Sequence, residues 1–198
     1  MDTAERWRNK RPDERMLKEL IENRRINLLC GGRIKTEQDC YFLLDIVKIF
    51  RLNYEDKIKL RIISSLTEGL AAYEDLLKKK IRAYQLGDCI EFVDNPADVH
   101  LMSYYLGSDI MLYVGGSKET NHLVREAQFF SLPVLTWEED GIQGRIEHDH
   151  LVLEKRPELF ASAVHVLMEN RGYAEYLSEW GKRTISEGNM VYMKGAGE

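Results

Sequence analysis

Short apolar runs alternate along this chain with segments whose apolar residues recur at helical spacing. Each run has four or five residues and is bounded by polar residues or glycine, a pattern typical of strands buried on both faces of a sheet. The predicted strands are residues 26–30, 59–63, 89–93, 110–114, 133–136 and 150–153.

The segments between and after these runs are predicted as helices. They span about residues 13–23, 38–52, 68–84, 97–106, 121–130, 157–169 and 173–186. Because strand and helix take turns, the pattern predicts an α/β fold: a doubly wound, Rossmann-like parallel sheet of about six strands, with right-handed crossovers and helices on both faces.

The composition is that of one globular domain. The chain has 198 residues, of which 44% are apolar and 31% charged. A domain of this size buries roughly 70% of the surface of its unfolded chain and needs no disulfide or metal to be stable. We expect a single domain over residues 1–198, with a leading linker or helix at 1–24 and a flexible tail at 188–198.

Charge and cysteine content restrict the partners and the compartment. With 28 basic and 33 acidic residues the net charge is −5, which repels nucleic acid and anionic lipid. Cys30, Cys40 and Cys89 form no C-x-x-C pair, as expected of reduced thiols. The charged N-terminus does not resemble a signal peptide, and no run approaches the ~20 apolar residues of a membrane span. We therefore predict a cytoplasmic protein that meets membranes only through a partner.

Ligands of such sheets bind beyond the carboxyl ends of the strands, so the loops that follow the strands are the candidate binding sites. After the first strand, Gly31 and Gly32 allow close backbone approach, and Arg33 and Lys35 add positive charge before a helix, a combination that suits phosphate. The loop has neither the G-x-G-x-x-G fingerprint nor a Walker motif. The alternative is a plain turn with solvated cations.

A second candidate loop follows the fourth predicted strand. Residues 115–117, Gly-Gly-Ser, form another turn suited to anions, and Glu126 follows about two helical turns later, where its carboxylate could hold a ribose. Alternatively, Glu126 pairs with a neighbouring arginine. His148 and His150 are two residues apart, a spacing that could suggest a metal site, but without a third ligand nearby the pair is interpreted as part of a surface turn. No G-x-S-x-G elbow indicates a hydrolase.

Several stretches, taken in order, resemble a known family. They are MDTAERWRNKRPDE, INLLCGGRI, YYLGSDIMLYVGGSKE, VREAQFFSLPVLTWEEDGIQGRI and LFASAVHVLMENRGYAEYLSEWGKR. Together they resemble the C-terminal, donor-binding half of the GT-B glycosyltransferases, in particular the large retaining family of group 1 glycosyl transferases. The resemblance covers residues 1–183.

This resemblance implies roles for individual residues. Arg33 matches an arginine that binds the donor diphosphate, and Glu126 a glutamate that binds the ribose. Glu119 takes the place of a catalytic glutamate near the sugar, but it lies one residue closer to Glu126 than the family motif requires. A lysine of the family falls at Gln38, which leaves Lys35 as the second cation. The full predicted diphosphate set is Gly32, Arg33, Lys35, Ser117, Lys118, Thr120 and Asn121. The base is expected beside Phe92, Val93 and Asn95.

The resemblance implies the nucleotide-sugar-binding domain of a hexosyltransferase that acts on a glycan, lipid or protein. Its donor substrate is a nucleotide diphosphate sugar, with no metal and no cofactor. A single such domain is not expected to be active alone, so an N-terminal acceptor domain or a partner subunit is implied. The alternative is a noncatalytic glycosyltransferase-like subunit of a protein glycosylation or accessory secretion complex, which has lost donor chemistry. The Gln38 and Lys118 replacements support it. A Rossmann oxidoreductase is disfavoured by the missing glycine fingerprint.

Overall fold

The computed structural model describes residues 3–54, 57–114, 121–137 and 151–179. Six parallel strands form one sheet in the order β3-β2-β1-β4-β5-β6. The strands are β1 Ile26–Arg33, β2 Ile58–Glu68, β3 Ile90–Val93, β4 Ile110–Val114, β5 Val134–Trp137 and β6 Leu151–Leu153. All six predicted strands are confirmed, and the strand order reverses between β1 and β4.

Helices connect the strands. They are α1 Thr3–Trp7, α2 Glu14–Glu22, α3 Glu37–Asn53, α4 Leu70–Ala83, α5 Asp98–Leu106, α6 Asn121–Phe129 and α7 Pro157–Glu169, and residues 171–179 are helical as well. Within the described residues, none of these helices is both long and apolar enough to cross a membrane. The predicted tail at 188–198 lies outside the described residues.

Both faces of the sheet are covered, as predicted. Leu28, Cys30 and Leu112 pack against α3, α4 and α7 on one face. Their sequence neighbours Leu29 and Met111 pack against α1, α2, α5 and α6 on the other. Successive strand residues point to opposite faces, so burial of both explains why the strands are continuously apolar.

The first strand is longer than predicted, because Gly31 and Gly32 belong to β1 and do not form a turn. Gly32 has φ +112° and pairs with Val114 of β4, whose carbonyl oxygen would collide with any Cβ at this position. A Cβ at Gly31 would meet the side chain of Met111. The two glycines therefore allow β1 and β4 to lie close together up to their carboxyl ends.

The second strand also continues past its predicted end at residue 63, to Glu68. Its pairing with β1 is irregular, since Cys30 pairs with Ile62 and Gly32 with Thr67. The extra residues of β2 form a bulge, after which Glu68 stands beside Arg33.

Candidate functional site

The strand order reverses between β1 and β4, and this is the position where doubly wound sheets bind ligands. Arg33 ends β1, Val114 ends β4, and α6 begins at Asn121, which is one of the predicted diphosphate residues. The predicted residues Ser117, Lys118, Glu119 and Thr120 lie outside the described part of the chain.

Arg33 is accessible at this edge of the sheet. Its Nε lies 3.5 Å from Oε1 of Glu68, and the two side chains are 44% and 48% exposed. An ion pair this exposed contributes about 0–1 kcal/mol, so an anionic ligand could replace Glu68 at little cost. The structure thus leaves the predicted phosphate-binding arginine available.

Lys35 lies in the short loop between β1 and α3, and hydrogen bonds hold the backbone of this loop. Thr36 is the N-cap of α3, and Asp39 completes a capping box. One oxygen of Asp39, Oδ2, accepts the N–H groups of Lys35 and Thr36, both at 2.9 Å. The carbonyl of Lys35 accepts the hydroxyl of Tyr73 at 2.7 Å. The loop that carries Lys35 and directly follows Arg33 therefore has a defined shape.

A third cation, Lys155, reaches the same loop from the turn between β6 and α7. Its Nζ lies 2.6 Å from Oδ1 of Asp39 and 4.4 Å from the ring centre of Trp137, the last residue of β5. Burial alone would raise the pKa of Asp39, but hydrogen bonds from Lys155 and from the N–H groups of Lys35 and Thr36 outweigh it and lower the pKa. Sequence reasoning missed Lys155, because it lies 116 residues from Asp39 and in no recognisable motif.

Glu126, the predicted ribose ligand, is buried on the opposite face of the sheet from Asp39. Arg6 of α1 donates to its Oε1 at 2.5 Å, and the hydroxyl of Tyr105 donates to its Oε2 at 2.9 Å. Arg6 also donates to Asp98 at 3.0 Å. Pairing with an arginine was the alternative prediction for Glu126, and the structure shows it with a residue 120 positions away.

The three predicted base-lining residues lie at the end of β3 or just beyond it. They share the carboxyl edge of the sheet with Arg33, but β2 separates them from β1, a distance of about 10 Å at ordinary strand spacing. Phe92 lies under Lys78, whose Nζ is 5.8 Å from the ring centre. Asn95 has φ +30° and donates its N–H to Ser64 Oγ at 2.7 Å. Phe92, Val93 and Asn95 are thus at the carboxyl edge of the sheet, to one side of Arg33, and their role as base-lining residues stays a prediction.

The described residues give no support to thiol or metal chemistry. The three cysteines are unbonded and buried, and burial raises the pKa of Cys30 and of Cys40 to about 12, so neither is a nucleophile near neutral pH. In the ranges that the structure describes, no group of three His, Cys, Asp or Glu side chains could hold a metal ion. Metal independence stays a prediction.

A cavity of about 530 Å³ lies at the opposite edge of the sheet. Ser108 and Asp109, which precede β4, and Pro133, which precedes β5, contribute to its lining together with Arg171. These are the amino ends of the strands, and the ligands of this fold class bind at the carboxyl ends. The cavity is therefore separate from the candidate site.

The sheet order defines a Rossmann-like domain, in which Arg33 and Lys35 place positive charge near the reversal point. Residues 13–184 match the family described as glycosyl transferases group 1. The chain therefore belongs to this family, and the resemblance inferred from its sequence is confirmed. No curated protein matches the chain significantly in amino-acid sequence.

Solved structures share the fold at low sequence identity. The C-terminal domain of LpcC, a glycosyl transferase group 1 family protein from Francisella tularensis, has a TM-score of 0.68 and 15% identity, over 94% of this chain and 97% of that one. Alr3699/HepE of Anabaena, in complex with UDP-glucose, has a TM-score of 0.70 and 12% identity, over 89% of this chain and 49% of that one. The pneumococcal O-GlcNAc transferase GtfA, in complex with UDP and GlcNAc, has a TM-score of 0.60 and 15% identity, over 90% and 38%. The chain thus spans half or less of the HepE and GtfA chains and nearly all of the LpcC domain. Its fold is that of one half of a GT-B glycosyltransferase.

Proposed function

We propose that this chain is the donor-binding domain of a glycosyltransferase, with a nucleoside diphosphate sugar bound beyond the ends of β1 and β4. The observation that carries the proposal is the accessible Arg33 at the reversal of strand order, in a member of this family. HepE and GtfA, which share the fold, are described in complex with UDP or a UDP-sugar, so uridine is the first base to test.

In this proposal the diphosphate meets Arg33 and Lys35, and Gly32 lets the backbone approach it. Negative charge grows on the diphosphate as the sugar leaves, and fixed cations and N–H groups stabilise that charge without a metal. Ser117, Lys118, Thr120 and Asn121 complete the phosphate contacts in this proposal, and Glu119 lies near the sugar. The base lies toward Phe92, Val93 and Asn95.

Glu126 is the predicted contact that fits least readily. A ribose hydroxyl could reach this carboxylate only if Arg6 or Tyr105 moved, because Glu126 is buried and each of its oxygens already faces one of these two side chains. The same observation favours the second candidate function, a glycosyltransferase-like interaction subunit that no longer binds a donor. A measurement of nucleotide binding distinguishes the donor-binding domain from the interaction subunit.

Transfer of a hexosyl group to a glycan, lipid or protein needs an acceptor site as well. GT-B enzymes work in the cleft between two halves, and this chain matches one of them. We therefore propose that an N-terminal acceptor domain or a partner subunit completes the enzyme. A cytoplasmic location belongs to the same proposal, and the buried, unbonded thiols support it.

The test is binding of UDP, GDP, ADP and CMP to the isolated chain by calorimetry and thermal shift. A ligand at a hundredfold excess over Kd stabilises the folded state by about 2.7 kcal/mol. We expect UDP to bind and Arg33→Ala to weaken it at least about tenfold, through loss of a charge-assisted contact. Arg15→Ala is the matched control, since Arg15 is also paired with a surface glutamate but lies on α2. If none of the nucleotides binds, the interaction subunit becomes the better explanation. If Arg33→Ala binds UDP as tightly as wild type, Arg33 is not in the site.

A further inference from the structure

Asp39, in the first turn of α3, is a buried carboxylate whose two oxygens have different kinds of partner. Oδ2 of Asp39 holds the backbone of the preceding loop through two N–H groups, and Oδ1 accepts from Lys155. The Asp39 side chain is only 4% exposed. A carboxylate this buried is stable as an anion only while its hydrogen bonds are complete.

The position of Lys155 is fixed independently of Asp39. Its Nζ lies over the ring of Trp137, and Trp137 packs edge-to-face on Phe42 of α3 with ring centres 4.9 Å apart. Lys155 directly precedes Arg156, the N-cap of α7. The aromatic pair and the start of α7 thus place a positive charge against the first turn of α3.

The loop needs this charge for its net balance. Residues 33–39 contain two basic side chains, Arg33 and Lys35, and two acidic ones, Glu37 and Asp39, so their net charge is zero. Glu68, which lies beside Arg33, makes the local sum −1, and Lys155, which neutralises Asp39, brings it to zero. Without Lys155, the carboxylate of Asp39 would stand uncompensated four residues from Lys35, beside the proposed diphosphate.

We propose that Lys155 is a positioning residue for residues 33–39, the segment that contains the proposed diphosphate-binding cations Arg33 and Lys35. It acts through Asp39, by holding the carboxylate where it orders the N–H groups of Lys35 and Thr36 and by cancelling its charge. The inference rests on the proposed function, because it assigns a role within the same site. It links the turn after β6 to the loop after β1, two parts of the chain far apart in sequence.

The experiment compares Lys155→Met, which keeps length and packing but removes the charge, with Lys155→Arg, which keeps the charge. Lys80→Met is the matched control, since Lys80 also lies over an aromatic ring, that of Tyr41 at 4.7 Å. Two properties are measured for each variant: hydrogen exchange at the amides of Lys35 and Thr36 without ligand, and the affinity for UDP. Thermal unfolding confirms that each variant is folded.

Lys155→Met is expected to exchange faster at both amides and to bind UDP about tenfold more weakly, the effect of one partly screened charge close to the diphosphate. We expect Lys155→Arg to stay within about twofold of wild type, and Lys80→Met to leave both properties unchanged. Unchanged exchange, or unchanged UDP affinity, in a folded Lys155→Met variant would overturn the proposal. A wild-type chain that binds none of UDP, GDP, ADP and CMP would overturn the proposed function and this role with it. The exchange data would then still report whether Lys155 orders the loop.

Discussion

Replacement of Arg6 by methionine tests the buried ion pair that joins α1 to α6. The change keeps most of the aliphatic length of the side chain and removes the guanidinium. Glu126 would retain Tyr105 as a partner but would lose its counter-ion, and its side chain is only 4% exposed. We therefore expect Arg6→Met to destabilise the fold.

The structure sets the size of this effect. Removal of one partner from a fully buried ion pair costs about 3–5 kcal/mol, because the other charge is left uncompensated. Arg6 itself is 24% exposed, so water can reach the vacated space, and we expect about 2–3 kcal/mol. In a chain of this size that corresponds to a fall in Tm of roughly 4–12 °C.

Urea unfolding followed by circular dichroism, with a double-mutant cycle, measures the pair directly. Glu126→Gln removes the charge from the other side, so the double variant should be less destabilised than the sum of the two single variants, by about 1–3 kcal/mol. Arg15→Met, in an exposed pair with Glu19, should change stability by less than about 0.5 kcal/mol. An Arg6→Met variant as stable as wild type, or an additive cycle, would refute the reasoning.

The same variants decide the role of Glu126. If Glu126 only anchors α1, Glu126→Gln and Arg6→Met should both bind UDP with the affinity of wild type while they remain folded. If the carboxylate binds the ribose, Arg6 competes with the nucleotide. Glu126→Gln should then weaken binding, and Arg6→Met should strengthen it.

Two further predictions concern the strands and the buried carboxylates. Gly32→Ala should cost at least about 3 kcal/mol in urea unfolding, because its methyl would collide with the carbonyl of Val114 at a φ of +112°. Gly87→Ala, whose methyl meets nothing within 4 Å, should change stability by less than about 1 kcal/mol. Asp39 and Asp109 should respond to pH with opposite signs. The pKa of Asp39 is lowered despite burial, so its carboxylate adds stability above its unfolded pKa of about 3.9, and this is lost as the pH falls through the folded pKa. Burial raises the pKa of Asp109, so that group costs stability once the pH rises above about 3.9. Tm curves should therefore show Asp39→Asn less stable and Asp109→Asn more stable than wild type at pH 7, with both differences shrinking in acid.

The architecture could be predicted from sequence because a strand that is buried on both faces appears as an uninterrupted apolar run. A strand such as Ile110–Val114 has no polar position, so it stands out from the amphipathic helices on either side. The extension of β1 through Gly31 and Gly32 does not appear as an apolar run. Paired glycines usually indicate a turn, and only the close approach of β4 explains them as strand. The five-residue helix α1 is too short to show a period, although Trp7 is buried.

The candidate site was predictable in part for the same reason. Arg33 follows a strand that is easily recognised, so its place at the carboxyl edge follows from topology alone. The partners of the buried carboxylates do not follow, since Lys155 and Arg6 lie more than a hundred residues from Asp39 and Glu126. A charged residue at the surface of a predicted helix or turn gives no indication of which distant group it will meet.

These two ion pairs have related positions in the fold. Asp39 lies in the first turn of α3, which follows β1, and Glu126 lies in α6, which follows β4. Each helix that leaves the reversal point thus carries one buried carboxylate, on opposite faces of the sheet, and each carboxylate is held by a cation from a distant segment. Such groups fix the helices on either side of the candidate site, and their burial leaves a ligand little access to them. If the chain has the proposed function, its affinity for a nucleotide comes from exposed groups at this edge of the sheet, above all Arg33. Substitutions at these two ion pairs should therefore change stability before they change specificity.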